Sequence, residues 1–333
     1  MLFREKPKIL EFVTEILQQF GIEGPAIPIG SGHINKTYRA GSYIIQQINK
    51  NVFKKPEDIA TNLEYARQYL SKEHPDYLFI APLKNIVHEG DHWRMYPYIE
   101  DTFTIDEATN VSQAYEAAKA FGKFGNFMKG ADLTMIKPTI DRFHDLSLRY
   151  DQFLLALAKT TDPLKVTAAK EIEAALKNAE IVSHYSSIIA SKTLKPGIFH
   201  NDTKINNVLF DGRSSKAIAV IDLDTVMEGY FIYDLGDLVR TLVCPVSEEE
   251  KDLSKIVVRK EFYDAVIDGY LSEMNDVDTS LASFAGIMMT YIMALRFLAD
   301  YLRGNTYYHI TYPDQNLVRA RNQFRLIEQL QAI

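Results

Sequence analysis

The residues best placed to do chemistry fall in one stretch, Ile198-Phe-His-Asn-Asp202-Thr-Lys-Ile-Asn-Asn207-Val-Leu-Phe, followed by Ala219-Val-Ile-Asp222-Leu-Asp224. Each half is an apolar run broken by polar groups that are costly to bury without partners. Asp202 and Asn207 are too far apart for one short strand and too close for separate elements. A loop that curls back aims both into one cavity, and Asp222 arrives on a neighbouring strand as a third oxygen donor. Oxygen ligands with no cysteine and no paired histidine suit a hard cation, Mg²⁺ or Mn²⁺, that keeps water and phosphate in its shell.

That spacing is the one used in phosphoryl transfer. An Asp accepts a hydroxyl proton, an Asn five residues on binds metal, and an acid after the next hairpin completes the metal site. The competing reading is a polar loop between core strands, with Asp202 and Asn207 capping turns.

Elements upstream must hold the other substrate. Residues 7–20 have helical spacing, closed by Gly21. Residues 26–49 then read as strand, Gly30-Ser31-Gly32 turn, strand, Gly-Ser turn, strand. Glycines at 30 and 32 let backbone N–H groups approach a nucleotide phosphate, and His33 and Asn35 sit at the tip. Kinases carry a phosphate-binding lysine on the third strand. Here Gln46 and Gln47 stand in its place, flanked by Lys36 and Lys50. A helix from Pro56 to about Lys72 follows, then strands at 77–81 and 93–99. Tyr98 and Ile99 fall where a hinge would offer backbone N–H groups to adenine, whereas Pro97 has none.

Beyond residue 98 the pattern turns helical. Expected helices cover 114–128, the end of 136–150, 147–185 with a break at Thr161-Asp-Pro, 249–275, 281–302 and 316–331. Asp234 and Arg240 lie in an acid-rich turn opening another helix. The longest apolar run, Leu281 to Leu295, is too short to span a bilayer and reads as a buried helix. Arg296 closes that run, interrupting the helix to Leu302, and needs a partner such as Asp300, or a cleft. The arginines of the last helix read as a solvated face.

The 333 residues suggest two lobes, and a net charge of -7 argues against a nucleic-acid or anionic-membrane surface. The single cysteine, Cys244, excludes an internal disulfide. The N-terminus shows no signal peptide, so a cytoplasmic protein is expected. Nothing in the sequence sets an oligomeric state.

At His200-Asn-Asp202-Thr-Lys204-Ile-Asn-Asn207 and Ile221-Asp222-Leu-Asp224 the chain resembles the aminoglycoside phosphotransferase and choline kinase family. Gly32-His-Ile-Asn-Lys-Thr-Tyr38, the 43–53 and 139–145 stretches, Ala294-Leu-Arg-Phe-Leu-Ala-Asp-Tyr-Leu302 and the 316–324 stretch look like N-acetylhexosamine 1-kinases, which phosphorylate GlcNAc and GalNAc at the anomeric hydroxyl. The resemblance covers nearly the whole chain and extends to the glutamine in the lysine position. It implies an α+β, two-lobed protein-kinase-like fold: a small antiparallel-sheet N-lobe over 1–97 and a larger helical C-lobe over 98–333. ATP and Mg²⁺ would lie between them with a small-molecule sugar. Asp202 would be the catalytic base and Asn207 and Asp222 the metal ligands. Gly30, Ser31, Gly32, Gln46, Tyr98, Ile99 and Lys204 would contact nucleotide. His33, Asp224, Arg296 and Tyr307 would contact sugar. Choline, an amino alcohol, homoserine or an aminoglycoside are the alternative acceptors, and a nucleotide-binding pseudokinase is the alternative outside enzymes.

Overall fold

The computed structural model describes residues 5–29, 34–274 and 276–333, with backbone alone for 5–12. The Gly30, Ser31, Gly32 and His33 expectations lie outside the described residues.

The chain opens with α1 (Glu5–Phe20), β1 (Ile27–Pro28), β2 (Lys36–Ala40), β3 (Tyr43–Gln47), α2 (Pro56–Glu73), β4 (Lys84–His88) and β5 (Asp91–Pro97). The five strands form one antiparallel sheet in the order β1-β2-β3-β5-β4. One face of it meets α1 in a small core of Val13, Ile16, Leu17, Phe20, Tyr38, Ala40, Ile45 and Trp93. The strand expected at 77–81 is not one. Its aromatic residues turn onto a helix instead, Tyr77 edge-on to Phe127 and Phe79 stacked on Phe124, and the pairing strand is the next segment, β4.

Helix α2 buries Ile59, Leu63, Ala66 and Leu70 not beneath that sheet but in the large core of the helical part. Asn62 fixes it there, donating to Lys137 O at 2.7 Å and Val226 O at 2.9 Å.

Next come β6 (Thr102–Phe103), α3 (Val111–Phe127), α4 (Leu146–Lys159), α5 (Asp162–Thr167), α6 (Ala169–Lys177) and α7 (Glu180–Ser191). The strands β7 (Gly197–Phe199), β8 (Val208–Asp211), β9 (Ala217–Val220) and β10 (Met227–Gly229) follow, then α8 (Phe231–Leu242), α9 (Lys260–Leu271), α10 (Ala282–Leu302) and α11 (Gln315–Leu330). Two small sheets, β10-β7 and β6-β8-β9, carry the loops of interest. The helix expected over 249–275 begins only at Lys260. Before it, the Arg259 guanidinium donates to Leu242 O at 2.8 Å and Cys244 O at 3.4 Å, tying an irregular segment to the end of α8.

Helix α10 runs through the middle of the large core against α4, α8 and α11. By length and composition Thr279–Leu302 could cross a bilayer, longer than the sequence run suggested, but 67% of its most apolar window is buried by its neighbours. It crosses α8 at two glycines. A Cβ on Gly236 would collide with the Ala285 carbonyl, and one on Gly286 with the Val239 side chain. The face of α11 read as solvated is largely paired: Arg319 with Glu248 and Glu249, Arg321 with Glu171.

Candidate active site

The loop from β7 to β8 is stitched down residue by residue. His200 is fully buried, edge-on to Phe121. Its Nδ1 accepts the Asp202 N–H at 3.3 Å and its Nε2 donates to Ile221 O at 2.9 Å, so one ring ties the Asp202 backbone to the residue before Asp222. Burial holds this imidazole below its usual pKa, in the neutral form that pattern needs. Asn201 takes a left-handed conformation, φ 63°, and its amide donates to Phe199 O and Thr225 O. Asp234, buried on α8, accepts the His200 N–H at 3.1 Å and the Asn201 N–H at 2.7 Å. Its work is to hold this loop rather than to cap its own helix. Asp237 accepts the Thr203 N–H at 3.1 Å. Arg240 is buried between Asp237 at 2.9 Å and Glu248 at 3.2 Å.

The loop presents Asp202 and Asn207 to one cavity of about 890 Å³, which Asp222 also lines. Asn207 Nδ2 donates to the Asp202 carbonyl at 2.9 Å and its carboxylate at 3.3 Å, which turns Oδ1 away without a bond. Lys204 Nζ lies 3.2 Å from Asp202. Burial pushes the Asp202 carboxyl toward neutrality, but the charge and hydrogen bond of Lys204, with the charge of Arg240, outweigh it and its pKa falls. Asp222 goes the other way. Burial first, then the neighbouring Asp224 and Asp202 carboxylates, raise it to about 7. An amide oxygen and a crowded carboxylate, both without hydrogen-bond donors, fit a hard divalent cation completed by water and phosphate. Among the described residues no group of three His, Cys, Asp or Glu forms a self-sufficient metal cage.

The cavity continues under the sheet past Ile44, Gln46, Ile80, Tyr96, Tyr98 and Ile99 to Leu209 and Ile221, an apolar slot with a backbone edge. The Tyr98 N–H already donates to Ser42 O at 2.9 Å. Of the two expected hinge donors, Ile99 is therefore the one left for a base.

Asp224 is not where a sugar contact was expected. It is 2% exposed and absent from the cavity lining. Its carboxylate reaches across to the sheet, to Arg94 at 2.5 Å and Asn35 Nδ2 at 2.7 Å. Arg94 escaped sequence reasoning, although a lone guanidinium in the apolar Trp93-Arg-Met-Tyr96 strand was the available signal. Lys50 does not compensate for the missing lysine, since it pairs with Asp91 at 2.7 Å.

Arg296 and Tyr307 are also absent from the cavity lining and form a cluster of their own with Phe143 and Tyr308. The Arg296 guanidinium carbon stands 5.2 Å from the Phe143 ring centroid, 5.9 Å from Tyr307 and 5.6 Å from Tyr308. The expected ion pair with Asp300 does not form. Asp300 instead accepts the backbone N–H groups of Thr306, Tyr307 and Tyr308. His144 joins this cluster to the loop, its Nε2 donating to Asn201 O at 2.8 Å. Arg149 lies close by, bonded to Phe143 O at 2.7 Å, and burial and the Arg296 charge lower its pKa to about 10. Among the described residues neither arginine has a carboxylate partner, and the buried Tyr308 hydroxyl has no hydrogen-bond partner.

Comparison with known proteins places this arrangement. A sequence profile described as "APH: Phosphotransferase enzyme family" matches residues 25–278. Among solved structures, the GDP complex of wild-type aminoglycoside 2'-phosphotransferase-IIIa superposes with a TM-score of 0.61 at 12% identity, covering 95% of this chain and 98% of that one. A choline/ethanolamine kinase family protein from Mesorhizobium loti gives 0.59 at 15% identity, covering 98% and 99%. A microcompartment-associated aminopropanol kinase gives 0.59 at 13% identity, covering 96% and 98%. At these identities the likeness shows a shared protein-kinase-like fold.

Proposed function

The chain belongs to the phosphotransferase enzyme family, as a small-molecule kinase, and on that premise we propose that it phosphorylates an N-acetylhexosamine, GlcNAc or GalNAc, at the anomeric hydroxyl with ATP. Asp202, held ionised, orients that hydroxyl and takes up its proton as the oxygen attacks the γ-phosphorus in line. Asn207 and Asp222 would hold Mg²⁺, which neutralises phosphate charge. Lys204 and Arg240 add positive charge beside Asp202. Most of the acceleration comes from positioning and charge, since this transfer asks little covalent chemistry of the protein.

One observation carries the choice of acceptor. The solved relatives are named for aminoglycoside, choline/ethanolamine and aminopropanol acceptors, which bear ammonium groups. An ammonium acceptor needs unpaired acids or an empty aromatic cage. Here the cage of Phe143, Tyr307 and Tyr308 already holds Arg296, and a second cation, Arg149, stands beside it. Asp237 and Glu248, the acids beside Arg240, are neutralised by Arg240 and Arg319. Unpaired guanidinium and phenol donors suit an uncharged acceptor rich in hydroxyl and carbonyl oxygens.

The test is an acceptor panel read by coupled ADP release, with phosphorus NMR of the product. Turnover of N-acetylhexosamines to 1-phosphates, with glucosamine and choline inert, is expected. Turnover of choline, an amino alcohol or an aminoglycoside with none of GlcNAc or GalNAc overturns the assignment.

A further inference from the structure

A kinase of this fold ordinarily grips the α- and β-phosphates with a lysine on the third strand of its sheet. Strand β3 offers Gln46, which carries no charge. The charge is present one strand away. Arg94 on β5 stands opposite Gln46 in the antiparallel register, so both side chains share a face. Its guanidinium donates twice to Gln46 Oε1, at 2.9 and 2.6 Å, and its Nη2 meets Asp224 at 2.5 Å. Its Nη1 is buried without a hydrogen-bond partner. Arg94 is 1% exposed, and a guanidinium so placed with unused donors is costly unless its charge serves something.

The geometry says what it serves. By occupying Oε1, Arg94 forces the Gln46 amide to point its Nε2 toward Thr37 Oγ1, 3.0 Å away, and both residues line the cavity.

We propose that Arg94 is the sheet-borne cation of this kinase, a positioning residue whose charge reaches the triphosphate through the Gln46 amide it orients and the Asp224 carboxylate it neutralises. The inference rests on family membership and is independent of the acceptor.

The test is calorimetric binding of Mg²⁺-ATP and of AMP, which separates phosphate recognition from base recognition without turnover. Arg94→Met should weaken ATP roughly tenfold or more, the usual size for losing a charged hydrogen-bond partner, while AMP affinity stays nearly unchanged. Arg94→Lys should keep most of the ATP preference. Gln46→Lys combined with Arg94→Met returns the cation to the third strand and should restore it. If Arg94→Met binds ATP over AMP as strongly as the native chain does, or if both affinities fall together, Arg94 is a strut and the proposal fails. Should Arg94→Met not fold, the double variant decides. A folded double variant with the native ATP preference supports the proposal, and an unfolded one, or one without that preference, overturns it.

Discussion

In the proposed mechanism, turnover depends most directly on Asp202. Removing a positioned base typically costs roughly 10²–10⁴-fold in rate, so Asp202→Asn should lose that much in kcat while calorimetry finds ATP binding retained. Near-normal turnover would remove Asp202 from its role. At the cluster proposed to meet the acceptor, Arg296→Met should raise the KM for N-acetylhexosamine with a smaller change in kcat, and an unchanged KM would detach this cluster from the acceptor. The meeting of Asp202, Asn207 and Asp222 at one cavity was legible in the sequence because it follows from linear order within one hairpin pair. Arg94 and the true partners of Asp224 were not. Arg94 faces Gln46 only through the register of β3 on β5, and Asp224 finds its counter-charge more than a hundred residues away on another sheet. The exclusion of Tyr98 N–H likewise depended on a turn contact to Ser42 that no spacing foretells.

At the scale of elements, helices with sustained apolar periodicity matched expectation to within a few residues at α1, α10 and α11. Short apolar runs did not. Residues 77–81 have strand composition but lie against the aromatic face of α3, where burial is available without a ladder. The join between α4 and the loop makes a pH-dependent prediction. His144 sits just before α4, buried, with burial lowering its pKa to about 4 from an ordinary 6.5. The unfolded chain therefore binds a proton that the folded chain refuses between those values. Stability from this site is intact above about pH 6.5 and is lost as pH falls toward about 4, a change on the order of a few kcal/mol. In His144→Gln that part of the acid slope should vanish in urea titrations at pH 7 and pH 5. An unchanged slope would mean the ring is not held neutral. The α8–α10 crossing gives a second check. Gly236→Ala should cost about 1–3 kcal/mol by overpacking, read as a lower urea midpoint, because the obstructing atom is Ala285 backbone and cannot rotate aside.

For the whole molecule, the two-part α+β organisation was readable from the order of patterns, strands first and helices after. The way the parts are fastened was not, since α2 precedes the hinge in sequence yet packs into the second core, and Asn35, Arg94 and Asp224 cross between parts through side chains alone. The backbone at Asp222 has a global consequence of its own. This residue sits at φ 57°, ψ 55°, a left-handed region that aspartate and asparagine both visit more readily than other side chains, so an amide fits there as well. It also crowds a buried negative charge against two others. Asp222→Asn should therefore melt at a higher temperature than the native chain in metal-free buffer while showing no kinase turnover, and a lower melting point would contradict this. Activity and durability are thus exchanged at a single codon, one base change apart.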